Sequence, residues 1–354
     1  MEIRAARRSE RDEVLDLLEL WYGDREFFAR YNHNDPGFRD ELCLVARAGG
    51  RLVSTVQIFG RRVNLAGAAV PIGGIGSVFT REDSRHSGAA SALMRLAVET
   101  MTNAGFELSL LFAERLTFYH QFGWREVERK FSMIAGPDKL AAPVEFTIDA
   151  FDPARDLAAV AAIHRAYSGR IDLTAIRDEA AWRGSLTFAG NQPMHPGEGS
   201  EEYFIVCRGA DDRIAAYARA MRLYEIPGVM EFGYSPGQTG AMLALFKYLG
   251  EAAAAKPASS KLRGDHRRAG LLRSESPPPP GIVATHTAHD PELEKALAAA
   301  GCPVSYYLDN NYMWRVLAPE KLARRLGTAP EAATARAFDI FADPGSLYWT
   351  SDRF

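Results

Sequence analysis

One order of local signals runs along this 354-residue chain twice, and the repetition narrows the fold more than any other feature. The first pass opens with a short strand-like stretch, Ile3 to Ala6. Ser9 then stands as a candidate N-cap for a helix carrying Val14, Leu17, Leu18 and Trp21. Trp21 to Pro36 is aromatic, charged and reads as irregular. A hairpin follows, Cys43 to Arg47 and Leu52 to Phe59 about Gly49-Gly50, and then an apolar strand, Val70 to Phe79. A polar loop leads into a helix with Leu93, Leu96, Ala97 and Met101 that stops at Gly105. Leu108 to Ala113 reads as a buried strand, Leu116 to Phe122 as a short helix, and a last strand ends near Ile134. After a linker at Pro137 to Pro143 the order returns. It contains a strand at Phe146 to Ile148, a helix from Asp152-Pro153 to Tyr167, and a hairpin about Asp211-Asp212. A strand from Val229 to Tyr234 and a helix from Gly240 to Ala255 follow. At roughly 150 residues per domain the length allows two or three domains. The reading is therefore α/β (α+β), with mixed central sheets flanked by helices in two copies of one architecture. The units expected are 1–137, 144–318 and a C-terminal segment, 319–354. A shared architecture without common ancestry would give the same coarse recurrence.

Composition removes several function classes. Hydrophobic residues are 47% and charged residues 25%, enough for a sizeable core and too balanced for long disorder. Lys plus Arg number 42 against 45 Asp plus Glu, so the basic footprint of a nucleic-acid binder is missing. Cys43, Cys207 and Cys302 are too scattered for a disulfide framework or a zinc knuckle. His286 and His289 have a metal-like spacing but follow a proline run, which favours a solvated linker; no metal is expected. The charged N-terminus and the lack of a long apolar run point to a cytoplasmic, reduced protein without a membrane partner. Gly74-Ile75-Gly76 lacks the third glycine of a dinucleotide fingerprint, since Phe79 occupies that place.

The stretch Arg85-His86-Ser87-Gly88-Ala89-Ala90 lies between a strand and a helix, which suits an anion. Amides at a helix start are unpaired and the helix dipole is positive there. Gly88 and the alanines keep the main chain bare, and Arg85 adds a charge that does not titrate off. By itself the same stretch is equally an ordinary loop with a small-residue helix start.

Arg-x-x-Gly-x-Ala after a strand, with Phe118-Tyr119-x-x-Phe122-Gly123-Trp124 downstream, resembles the GNAT family of acetyl-CoA-dependent N-acetyltransferases. The whole chain, with its degenerate second copy and aromatic C-terminus, looks most like the tandem enhanced-intracellular-survival (Eis-like) type. That resemblance implies a tandem GNAT fold and transfer of an acetyl group from acetyl-CoA to a primary amine of a small molecule or peptide. It also implies that Val78, Phe79 and Thr80 open their backbone to pantetheine and that Arg85, His86, Ser87, Gly88, Ala89, Ala90 and Ser91 hold the pyrophosphate. Glu114 and Arg115 fall at a further cofactor contact, and Tyr119 falls at the general acid.

The chemistry asks for an acid on its own account. The departing thiolate, if it resembles cysteine, has a pKa near 8.5, and a phenol near 10 can donate to it or stabilise it. The plainer alternative for Tyr119 is a packing residue beside Phe118 and Phe122. For the base, the resemblance nominates the terminal carboxylate of Phe354; Glu82 and Asp83 are rivals, and water chains are another route. Trp21, Asp24, Glu26, Phe27 and Phe28 are the acceptor-side candidates, through cation–π and charge attraction, unless the aromatics only pack on the sheet. In the second copy Gly237 stands in the place of Arg85 and Pro236 removes a donor, so that half is expected to shape the cleft without binding coenzyme A. A non-catalytic acyl-CoA-binding or sensing module is the alternative reading, and a homo-oligomer stays open.

Overall fold

The computed structural model describes residues 1–23, 25–113, 115–141, 145–188, 202–223, 226–255, 283–285, 290–302, 304–309 and 312–352. The first half runs β1 (Glu2–Ala5), α1 (Arg11–Tyr22), α2 (Arg25–Asn34), β2 (Cys43–Ala48), β3 (Arg51–Leu65), β4 (Ala68–Thr80) and α3 (Ala89–Asn103). It continues through β5 (Leu108–Phe112), α4 (Leu116–His120), β6 (Arg125–Glu126) and β7 (Arg129–Ile134). The second half holds β8 (Thr147–Ala150), α5 (Pro153–Ser168), α6 (Glu179–Phe188), β9 (Glu202–Arg208), β10 (Ile214–Leu223), β11 (Ile226–Tyr234) and α7 (Thr239–Ala255). Then come β12 (Val283–Thr285), α8 (Pro291–Ala299), β13 (Val304–Asp309), β14 (Tyr312–Val316), α9 (Pro319–Leu326) and α10 (Pro330–Ala342).

Local signals account for many of these elements. Gly49 and Gly50, at φ of 56° and 76°, make the tight turn that joins β2 to β3. Asp152 and Asp290 cap α5 and α8 by accepting from the Ala154 and Leu293 amides, with proline following each cap. Ser9 is not a cap: it lies in a short 3-10 turn, Arg8–Glu10, ahead of α1. The stretch read as irregular is the helix α2.

The strands form two seven-stranded sheets, in the orders β1-β2-β3-β4-β5-β14-β6 and β13-β7-β12-β11-β10-β9-β8. The single strand expected to end near Ile134 is two. β6 pairs with β14 in the first sheet, whereas β7 crosses to the second and pairs with β12 and β13. The stretch Tyr306 to Val316 is also two strands: β13 stays in the second sheet and β14 enters the first between β5 and β6. Each sheet therefore contains one strand from the other half of the sequence. A second seam lies at the far end of β3. There the Leu173 and Ile176 amides donate to the Asn64 and Arg62 carbonyls at 2.7 and 2.8 Å, and Val63 bridges to Ala175.

Alternation along β5 divides the first sheet into faces. Leu111 and Ala113 pack with α3, through Leu93, Met94 and Ala97. Leu108, Leu110 and Phe112 face the other way, toward Trp314, Phe341 and Tyr348. The second sheet buries its core under α7. The three cysteines are buried and free.

One charged residue holds the N-terminal corner. Glu10 accepts both Arg4 guanidinium nitrogens at 2.7 and 2.8 Å and the Arg7 amide at 2.8 Å, with Arg47 at 3.1 Å. The hydrogen bonds from Arg4 pull its carboxyl from the ordinary 4.5 down to about 2, against the opposing effect of burial. A carboxyl depressed by folding stabilises fully above its unfolded pKa, and that contribution is lost as pH falls through the window from 4.5 to 2. Thermal melts of wild type should drop across this window. Glu10→Gln should be less stable at pH 7 and drop less steeply; parallel curves would count against this anchor.

Candidate active site

The site begins where two neighbouring strands part. β4 and β5 run parallel and pair from Ile72–Leu108 to Ile75–Leu111. β5 ends at Phe112, while β4 continues to Thr80. On its other side β4 stays with β3, and β5 stays with β14 along its whole length, Tyr312 opposite Phe112 and Val316 opposite Leu108. Among the described residues no strand pairs with the backbone of 76–80 on the β5 side.

A bulge marks the point of departure. Gln57 faces Gly76, but Thr55 faces Phe79, so β4 carries one extra residue there. Ser77 has φ of 50°, an uncommon conformation for a side chain without a ring or amide. Its Oγ is buried and has no hydrogen-bond partner among the described residues. Beyond the bulge, Ser54 Oγ donates to the Phe79 carbonyl at 2.8 Å and lies 2.7 Å from Thr80 Oγ1. Val78 packs toward α3 and Phe79 is buried under α1. The side chains of Val78, Phe79 and Thr80 are thus committed to the protein, and the main chain is what they offer to a ligand.

The loop that follows is held at its base, where Arg81 donates through Nε to the Leu52 carbonyl at 2.8 Å and through its amide to Val53 at 2.9 Å. His86 and Gly88 both have positive φ, 64° and 83°. Gly88 is the N-cap of α3 and supplies no side chain to cap it. Ser87 Oγ reaches the Ala89 amide only at 3.4 Å. The first turn, Ala89 to Ser91, therefore keeps amide donors for an outside acceptor at the positive end of a 15-residue helix. Arg85, His86, Ser87 and Gly88 are exposed, and Arg85 lies 3.5 Å from Glu82 across a solvated pair. Asp83 pairs with Arg51 at 2.9 Å.

Tyr119 stands on α4, just past the end of β5 and on the α3 face of the sheet. It is half-buried, with the Phe118 ring edge-on at 5.0 Å. Arg115 is exposed at the start of α4, and its carbonyl accepts the Phe118 amide at 3.2 Å. His120 is on the surface, 3.0 Å from Glu126. Glu114 and Phe354 lie outside the described residues, as does Asp24. Trp21 and Phe27 fall on α1 and α2, but their side chains are outside the description. Glu26 is exposed in the first turn of α2. Phe28 is buried with Val14, Leu18 and Phe79, so it packs under α1 as the plainer reading of the aromatic cluster has it. Among the described residues no group of three or more His, Cys, Asp or Glu side chains could hold a metal, and no helix is long and apolar enough to cross a membrane.

Two features of the site have no local signature in the sequence. One is Ser77, whose exceptional backbone arises from the bulge. The other is the place of the C-terminal segment, whose contacts come from elements distant in sequence. Tyr348 lies against the Phe112 ring at 6.1 Å, on the face of β5 opposite Tyr119. Trp349 Nε1 donates to Ser168 Oγ at 3.0 Å, and Asp352 pairs with Arg177 at 2.8 Å. Tyr119 thus packs against the α3-side core and this segment against the opposite face of β5.

An acyl-CoA thioester fits this arrangement. A buried hydroxyl at the parting of the strands lacks a partner, a strand edge is open, and an uncapped helix start stands at its end. Residues 2–127 match the acetyltransferase (GNAT) domain. Among curated proteins none matches the chain in sequence. Among solved structures, a probable N-acyltransferase from Enterococcus faecalis V583 is 16% identical, with TM-score 0.62 over 90% of this chain and 72% of that one. Eis1 from Mycobacterium abscessus is 14% identical, with TM-score 0.57 over 92% and 76%. An N-myristoyltransferase from Saccharomyces cerevisiae, solved with bound myristoyl-CoA, is 12% identical, with TM-score 0.51 over 88% and 79%. At such identities the likeness is one of fold. Residues 2–127 thus carry an acetyltransferase (GNAT) domain, and along most of its length the chain has a fold like that of Eis1.

Proposed function

We propose that this protein transfers an acetyl group from acetyl-CoA to a primary amine of a small molecule or peptide, by direct attack within a ternary complex in the cytoplasm. The observation that carries the reading is the parting of β4 from β5 beside the uncapped start of α3. Acetyl-CoA supplies the acetyl group already activated as a thioester. The chain's part is to hold it, to receive the amine and to move two protons.

Backbone groups of Val78, Phe79 and Thr80 extend toward the pantetheine arm as a strand would toward its neighbour. Amides of Arg85 to Ser91 take the pyrophosphate, with Arg85 and Arg115 as cations and Glu114 beside them. The amine nitrogen forms the C–N bond while the C–S bond breaks. Tyr119 gives its hydroxyl proton to the departing sulfur and recovers one from solvent; a phenol ordinarily near 10 suits a thiol ordinarily near 8.5. The carboxylate of Phe354, two residues past the docked Asp352, takes the proton that the amine loses. Trp21, Asp24, Glu26 and Phe27 are the acceptor-side residues of this reading, through cation–π and charge attraction, and Phe28 packs under α1.

Two variants separate transfer from simple binding. Tyr119→Phe should lower kcat on the order of a hundredfold or more while coenzyme A affinity stays within twofold, measured by thiol release and by calorimetry. An unchanged rate in an active wild type would remove Tyr119 from the acid role. Arg85→Glu should weaken coenzyme A binding about tenfold or more, through reversal of a charge beside a diphosphate. Equal affinity would take the pyrophosphate away from this loop.

A further inference from the structure

The second half buries a polar cluster that acyl transfer in the first half does not by itself require. At its centre is Arg177, whose side chain is 2% exposed. It follows Ile176, which the seam with β3 holds in place. The Arg177 guanidinium donates to both Glu231 oxygens, at 3.0 and 2.5 Å, to Ser351 Oγ at 3.0 Å, and through Nε to Asp352 Oδ1 at 2.8 Å. Its face lies over the Trp182 ring at 4.6 Å. Glu231, fully buried, also accepts from the Tyr217 hydroxyl at 2.8 Å and from Ser351 Oγ. His164 Nδ1 lies 2.9 Å from that Tyr217 hydroxyl, and Arg219 stands 4.0 Å from Glu231. Removing charges of this kind from water is unfavourable unless geometry is gained, and apolar packing would fasten a terminal segment as well.

The gain lies in where Asp352 is held. With Asp35, Arg61, Arg177, Ser185 and Ser351 it lines a cleft between the two halves. Asp35 is already occupied by the Arg61 guanidinium. Asp352 is 7% exposed, yet its Oδ2 accepts no hydrogen bond among the described residues. A buried carboxylate oxygen without a donor is destabilising until one arrives. Tyr348, whose hydroxyl donates to the Asp352 carbonyl at 2.8 Å, connects this point to Phe112 at the end of β5.

We propose that Arg177, braced by Glu231, is a positioning residue for the acceptor side of the reaction: it turns Asp352 Oδ2 into the cleft between the halves, where that oxygen accepts a hydrogen bond from the ammonium or amine group of the acceptor. The second half would then act on chemistry carried out in the first, through the C-terminal segment. This rests on the acyl-transfer reading above.

The test uses the full chain with acetyl-CoA and three amine probes: putrescine, Nα-acetyl-lysine methyl ester and a pentapeptide with a free N-terminus. Asp352→Asn keeps the shape and the Arg177 contact, and should raise KM for the responsive amine about tenfold or more, with coenzyme A affinity and the melting temperature nearly unchanged. Arg177→Lys should move KM in the same direction. Because Arg177 is buried, Arg177→Met combined with Glu231→Gln removes the opposing charges together and should raise KM as Arg177→Lys does. The proposal is overturned if Asp352→Asn leaves the amine KM within twofold of wild type, or if coenzyme A affinity falls in step with it. A wild type that binds coenzyme A but releases no thiol with any of the three probes overturns the acyl-transfer reading, and this proposal with it.

Discussion

The structure turns on the short pairing between the two central strands of the first sheet, each of which keeps its other neighbour where that pairing stops. β4 is bound to β3 almost to its end, and β5 is bound to β14 throughout. Four residue pairs join β4 to β5, and β4 then runs on past the end of β5. Backbone hydrogen-bonding groups along a buried edge are costly when left unpaired, and a flat amide-bearing ligand is the natural substitute for a strand. The bulge at Ser77 and the Ser54 contacts with Phe79 and Thr80 keep β4 in place beyond the separation. The helix that starts after the loop then supplies positive potential at the end of the same opening.

The separation depends on residues far away in sequence. β14 enters from beyond residue 311, and α9 is tied behind it by Arg325, which donates to Glu107 at 2.8 and 2.7 Å just before β5. β7 makes the reciprocal crossing. Exchange of this sort makes the halves poor candidates for independent folding, because each sheet lacks a strand without the other. Through β14, the β3 seam and the C-terminal segment the second half is joined to the first.

Much of this was legible in the residues, for reasons that can be stated. Gly49-Gly50 and Asp152-Pro153 carry their conformations in their chemistry, and Gly88 marks the start of α3 because its φ suits glycine. The helix α2 was not legible: Arg25 to Asn34 mixes aromatics with charge, and its contacts come from packing beneath α1. The partition of Trp124 to Ile134 into β6 and β7 was equally hidden. A short apolar stretch states that it is a strand but not which sheet will take it. The same limit applies to the site. The loop before α3 could be placed because its residues are contiguous, whereas Arg177, Glu231 and Asp352 meet only after the chain has folded, and none of them is exceptional alone.

The most direct measurement is a crystal structure of the full chain grown with coenzyme A. The account predicts the diphosphate against the amides of residues 87–91 and the pantetheine arm along Gly76 to Thr80, lying in the place a further strand would take. Density for the nucleotide at any other surface, or β4 and β5 closed upon each other with nothing between them, would contradict it.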